Sequence, residues 1–497
     1  MGYDVVIIGS GLAGLQCGYI LSKEGLKVCI LEKSNQLGGC LQTFKRKGSI
    51  FDTGMHYIGS MDEGQALNRF FKYFGLTGKL KLHRMDETGY EIIRFAGKEY
   101  KYAMGYDRFV DTLAAQFPNE GKALKKYADK LREISGAVDL YNLRDFTGNN
   151  SSYMDYYSHG IDPYLDSITS NPVLKGVLLG TSPLYCGVKD KTPLYIPMII
   201  HSSYIESAYR FVGGGSQISD LLEKSITDNG GTILKKAEVT KFFFDGNMVS
   251  EVEINGNERI QGRNFISNIH PKLMLELMED SPFRPAYRKR IESLEDTYGI
   301  FTLYLAMKEK SFRYINNNYY HYDTMDVWDG DNYTPENWPK GYMLHLSPDP
   351  NDLQYTDTII MNTYMKWNDV EKWSGTTVEQ RGEQYKAFKQ ERAEKMLGIL
   401  ERDFPGIRNS IRDYYTSTPL TYRDYTGTAK GSIYGILKDY NNPLKTIIVP
   451  RTSVRNLFLT GQNINIHGVI GVTISAILTC GELIGLSYLL EKMRHAN

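Results

Sequence analysis

Cysteine is scarce and unpatterned. The five in 497 residues, Cys17, Cys29, Cys40, Cys186 and Cys480, are odd in number and show no CxxC spacing. That excludes a disulfide framework, leaves no metal site to expect, and points to a reducing compartment. Excess charge is missing as well: 58 Lys plus Arg face 58 Asp plus Glu. With no basic stripe, nucleic acid is not an expected partner. An uninterrupted membrane-length apolar run is also absent. Val472–Leu490 comes nearest, but Glu482 interrupts it, so a buried helix is expected there. No leader precedes a first strand starting near Tyr3, and a cytoplasmic protein is the expectation. Tyrosine, by contrast, is plentiful at 37 residues. That surplus suits a pocket for an apolar ligand as well as it suits background composition.

The length calls for two or three domains. Residues 4–8 form a β-branched run of the buried-strand type, and a helix to about Glu24 and a second strand at 27–31 follow. This completes a βαβ unit. Residues 106–135 read as helical with a polar, Lys-rich face, and 153–185 as Tyr-rich and partly helical. A second glycine cluster, Gly213-Gly214-Gly215, precedes a helix over 217–228, which Asn229-Gly230-Gly231 ends. Short strands run to Asn268 through turns at Asp245-Gly246 and Asn255-Gly256. Runs at 299–307, 342–347 and 357–364 predict a mixed sheet, 378–403 a charged helix, 456–460 a strand, and 471–490 the closing helix.

Gly9-Ser-Gly11-Leu12-Ala13-Gly14 is a GxGxxG sequence set between a strand and a helix, the context that gives the motif meaning. Gly9 serves the tight turn, Gly11 the approach of a pyrophosphate, and Gly14 the packing of helix on strand, with the helix N-terminus facing the phosphates. Glu32, ending the second strand, suits both ribose hydroxyls and disfavours a 2′-phosphate. The nucleotide is therefore FAD or NAD. Gly38-Gly39 and Asp52-Thr-Gly54 come next. This extended arrangement resembles the dinucleotide signature of the amine oxidase flavoprotein superfamily, and the resemblance implies FAD. Gly54-Met-His-Tyr-Ile-Gly59, Arg210-Phe-Val-Gly-Gly-Gly-Ser-Gln217, Ile266-Ser-Asn-Ile-His-Pro271 and Leu459-Thr-Gly-Gln-Asn463 with Gly468-Val-Ile-Gly471 are similar to segments of the retinol saturase (all-trans-retinol 13,14-reductase) and phytoene desaturase-like family.

The resemblance implies an α/β fold: a discontinuous Rossmann-like FAD-binding domain (1–75, 205–272 and 452–497) plus an α+β substrate domain (76–204 and 273–451) with a mixed sheet and helical cap. The implied cofactor contacts are Gly9, Gly11, Leu12, Ala13, Gly14, Glu32, Lys33, Gly38, Gly39, Asp52, Gly54, Met55, His56, Val239, Gly461, Gln462, Gly471, Val472 and Thr473. The last three would begin the closing helix, its positive end turned to the flavin edge where negative charge develops. His56 and Tyr57 are the catalytic candidates, since a His there could exchange a proton near neutral pH. His467 has a weaker claim, and family members often carry another residue at that position. The implied activity is reduction or desaturation of a carbon–carbon double bond in a hydrophobic polyene or isoprenoid. The electron donor or acceptor is not encoded in these motifs. Two alternatives stay open: a flavin-dependent carotenoid isomerase, and a non-catalytic prenyl or lipid carrier of the GDP-dissociation-inhibitor type. Pro193–Ile200, apolar with two prolines, is read either as an exposed entrance touching a membrane peripherally or as pocket wall.

Overall fold

A computed structural model describes residues 2–145, 151–279 and 281–496. Its first sheet collects strands from both ends and the middle of the chain. Tyr3–Ile8 lies between Val28–Glu32 and Glu258–Ser267, parallel to both, and Thr232–Lys235 extends the sheet beyond Val28–Glu32. Glu258–Ser267 changes partners along its length. Its first half pairs antiparallel with Met248–Ile254, and its second half runs parallel to Tyr3–Ile8 on one side and Leu457–Leu459 on the other. Val28–Glu32 is buried at every position, as a strand covered on both faces requires. Leu12–Lys23 packs between Ser216–Asp228 and Gly468–Ile484. Strands from the beginning, middle and end of the chain therefore lie in one Rossmann-like α/β layer.

The second sheet has seven strands in the order Ile411–Ser417, Gly299–Met307, Asp352–Met365, Gly341–Asp349, Asn318–Tyr322, Glu91–Phe95, Lys98–Tyr102. It is mixed, as expected, because Asn318–Tyr322 runs parallel to Glu91–Phe95 while its other pairings are antiparallel. A three-stranded sheet stands between the layers: Ala208–Phe211 at its centre, Tyr57–Gly59 and Leu82–Arg84 at its edges.

Several boundaries differ from the expectation for local reasons. The helical stretch 106–135 comprises two helices, Tyr106–Ala114 and Gly121–Ala137, with Pro118 in the break. The charged helix begins at Gly382 rather than 378 because Glu379 and Gly382 both have positive φ. The closing helix starts three residues early, at Gly468, and ends at Ile484, where Gly485 at φ 91° turns the chain into Leu486–His495. Pro193–Ile200 is no exposed entrance. It enters the helix Tyr195–Glu206 with residues 193–199 buried, so a membrane contact there is withdrawn. Four cysteines are buried and Cys40 is exposed. Among the described residues no helix is long and apolar enough to cross a membrane.

Candidate functional site

The residues that converge on the main cavity come from every part of the first sheet. One end is walled by Gly9, Gly11, Leu12, Ala13, Glu32, Lys33, Gly38, Gly39 and Val239. The other reaches Gly54, Met55, His56, Tyr57, Gly461, Gln462 and Val472. Beyond the motifs lie Leu184, Ile199, Ile200 and Met343, from the helical segment and the mixed sheet, and Ile466, from the loop before the closing helix, which together form an apolar wall.

The nucleotide end is built by tight backbone approach. Gly9 holds φ 93°, which lets the chain turn from strand into helix. A Cβ on Gly14 would stand 2.1 Å from the Gly9 carbonyl oxygen, so helix and turn touch only because Gly14 has none. The Gly38 amide donates to the Ser10 carbonyl oxygen at 3.0 Å, clasping the two glycine turns together. Glu32, 7% exposed, accepts from the Ser10 amide (2.9 Å) and hydroxyl (2.6 Å) through one oxygen and from the Ser34 amide (2.8 Å) through the other. The carboxylate thus shapes the turn as well as the cavity, and Oε1, with a single bond, keeps a lone pair for a ligand. Lys33 bonds the Asp424 carbonyl oxygen at 2.9 Å, tying this end to the segment that carries Tyr425 and Gly427.

Four expected cofactor contacts stand behind the wall instead of in it: Gly14, Asp52, Gly471 and Thr473. Asp52 accepts from the Gly215 amide at 2.7 Å and so fixes the central glycine loop; burial pushes its carboxyl up to about 7. Gly471 admits the close pass of Ile466, whose carbonyl oxygen would lie 2.3 Å from a Cβ. Thr473 accepts from Gln16 at 2.8 Å and donates to Val469, locking the first and last helices together. The helix N-terminus that does meet the cavity is Gly468-Val469-Ile470, and no side chain caps it. Its free amides and positive dipole end suit an anionic or electron-rich group. Ser475 closes the neighbouring turn, donating to the Gly461 carbonyl and accepting from its amide, both at 3.0 Å.

The inner end holds groups that the sequence reading missed. His56 stacks on His345, ring centres 4.4 Å apart, and Asn362 Nδ2 stands 3.5 Å from His56 Nε2. Burial, with Arg210 adding to it, pushes His56 down to about 3. The shift favours the neutral imidazole at neutral pH. The Tyr57 hydroxyl donates to Glu91 in a short hydrogen bond and lies 2.8 Å from the Tyr320 hydroxyl. Burial raises Glu91 to about 8, so this carboxyl holds its proton at neutral pH. His467 stacks on Tyr434 at 4.1 Å and bonds the Leu184 carbonyl oxygen; burial depresses it to about 4. Asn268, also unforeseen, is the keystone of the motif. Its amide donates to the Gly9 carbonyl at 3.3 Å and packs against Gly11, Gly14 and Gly461. Its place at the end of Glu258–Ser267, beside the first strand, is the signal that could have found it.

Residues 7–74 match the family described as an NAD(P)-binding Rossmann-like domain. Over 97% of its length the chain is 24% identical to the all-trans-retinol 13,14-reductase of Danio rerio, covering 86% of that protein. It is 23% identical to the chloroplastic prolycopene isomerase of Daucus carota, with 99% of this chain and 81% of that one aligned. In three dimensions it superposes on cyclohexylamine oxidase from Brevibacterium oxydans IH-35A with a TM-score of 0.64 at 15% identity, covering 99% of this chain and 100% of the oxidase. The chain therefore carries a Rossmann-like dinucleotide-binding fold and resembles the all-trans-retinol 13,14-reductases over nearly its entire length.

Proposed function

We propose that the protein is an FAD-dependent oxidoreductase that reduces, or in the reverse direction desaturates, a carbon–carbon double bond in a hydrophobic polyene or isoprenoid lipid. One observation carries this reading. A single cavity joins a complete dinucleotide cradle to an apolar chamber walled by Leu184, Ile199, Ile200, Met343 and Ile466. The residues fit the cofactor: glycines where a Cβ would intrude, a buried carboxylate at the second strand's end, and an uncapped helix N-terminus at the far side. Gly9, Gly11, Leu12, Ala13, Glu32, Lys33, Gly38, Gly39 and Val239 would hold the nucleotide. Gly54, Met55, His56, Gly461, Gln462 and Val472 would line the ring end. Bound FAD would supply hydride chemistry. The chain's own side chains exclude water through the aliphatic wall and orient an apolar substrate. Neutral His56, its Nδ1 unpartnered, offers a hydrogen bond without charge. Protonated Glu91 behind Tyr57 is a buried proton reserve at the cavity wall.

The test is to load the protein with FAD, reduce it anaerobically, and add retinoids or carotenoids. Reoxidation of the flavin with a product heavier by two hydrogens is expected. Persistently reduced flavin with every polyene would defeat the reading. A second reading, isomerisation of a polyene on reduced FAD, is favoured by the similarity to prolycopene isomerase and would leave product mass unchanged.

A further inference from the structure

A buried cation without a counter-ion sits behind the inner wall of the cavity. Arg210 occupies the central strand of the three-stranded sheet, directly opposite Tyr57, a wall residue, and is 1% exposed. Its Nε donates to the Tyr314 hydroxyl at 3.0 Å and its Nη2 to Asn318 Oδ1 at 2.6 Å, both neutral groups. Its Nη1 has no partner, and no carboxylate pairs with it among the described residues. Asn318 Oδ1 also binds His345 Nδ1 at 3.0 Å, so one amide joins the guanidinium to the His345–His56 stack that lines the cavity. A buried unpaired charge costs several kcal/mol by order of magnitude. Neutral hydrogen bonds offset that only in part, so the fold retains the charge against its own stability.

We infer that Arg210 is a fixed positive charge behind the cavity wall that stabilises negative charge building up inside during reduction. The inference rests on the proposed flavin function and extends it to Arg210, which heads the central glycine-rich segment but is not among the cofactor contacts that the resemblance implies. Neither nearby carboxyl pairs with the guanidinium, and at neutral pH only Asp52 is ionised to an appreciable degree, offsetting the charge in part. Asp52 is bonded to the Gly215 amide and burial lifts it to about 7, while Glu91 is held protonated among tyrosines. Both histidines are neutral, in part because Arg210 opposes their protonation. The net field at the inner end is positive, and in a dry site such a field acts with little screening.

Sulfite tests it without turnover. It adds as an anion to oxidised flavin and bleaches the visible absorption, so its affinity reads the local charge. In the FAD-loaded protein, Arg210→Met is expected to weaken sulfite binding by about tenfold or more, the order expected for loss of one charge acting through a protein interior. Arg210→Lys should retain most of the affinity. Asn318→Asp, which puts a carboxylate beside the intact guanidinium, should weaken it as Arg210→Met does. Unchanged sulfite affinity in a folded, flavin-loaded Arg210→Met overturns the inference. If that variant does not fold, unchanged affinity in Asn318→Asp overturns it equally. A residue that only packs would lower the melting temperature and leave sulfite binding alone. A wild-type protein that takes up no flavin shows no visible absorption from the outset, and that result overturns the proposed function itself.

Discussion

Replacing Glu32 with alanine separates what this carboxylate does for the fold from what it does for the cofactor. In the protein without cofactor it accepts three hydrogen bonds, two from Ser10 and one from the Ser34 amide. Hydrogen bonds to a charged group contribute about 1.5–3 kcal/mol each, but water entering from the cavity side recovers part of that. We therefore expect Glu32→Ala to cost about 2–4 kcal/mol in the absence of cofactor, mostly through the two backbone amides left without acceptors. Glu32→Gln keeps an acceptor oxygen and should cost about half as much. Loss of the ribose contact should weaken FAD binding a further ~10–100-fold. Denaturant unfolding of the apo variants gives the first quantity, and fluorescence titration with FAD the second. If Glu32→Ala unfolds with the wild-type midpoint and binds FAD with wild-type affinity, the role assigned to this carboxylate is wrong on both counts.

Gly14→Ala forces a Cβ to within 2.1 Å of the Gly9 carbonyl oxygen, a backbone atom that cannot swing away. A loss of about 1–3 kcal/mol or more and a marked fall in FAD affinity are expected; a wild-type melting curve would contradict the packing argument. Tyr57→Phe removes the short bond to Glu91 and the bond to Tyr320, so about 1–3 kcal/mol of stability should go, measurable as a lower denaturation midpoint. Glu91 has a folded-state value raised from 4.5 to about 8, so the folded protein binds the extra proton. Its contribution to stability is full below 4.5 and is lost as pH rises through about 8, and Glu91→Gln should flatten that decline. Melting temperatures across this window that fall equally in both proteins would refute the assignment.

The strand, glycine turn and helix that carry the dinucleotide motif were legible because their geometry is local. Gly9 to Gly14, Glu32 and Gly38-Gly39 act within a few turns of backbone, and their spacing alone dictates strand, turn and helix. Asp52 and Thr473, expected as cofactor contacts, stand behind the cavity wall. Whether a residue lines the cavity or braces it depends on partners such as Gly215 and Gln16, which lie far away in the sequence. The inner end was hidden for the same reason. Tyr57 meets Tyr320, and His345 meets His56, across more than 250 positions of chain, and no periodicity announces such meetings. The second sheet's central strands declared themselves through long apolar runs such as Gly299–Met307. Glu91–Phe95 and Asn318–Tyr322, five residues each and mixed in polarity, gave too little pattern. The closing helix begins three residues before the expected Gly471, at Gly468, whose φ of 77° lets the chain turn into the helix there.

The central claim, flavin-dependent redox chemistry on a polyene, is tested most directly by the mass of the product. FAD-loaded protein, reduced and kept anaerobic, is incubated with all-trans-retinol and a carotenoid panel, and the extracted lipid is weighed by mass spectrometry. The account predicts a product two hydrogens heavier, formed as the flavin reoxidises. Substrates recovered with unchanged mass and unchanged double-bond geometry, over flavin that stays reduced, would contradict it.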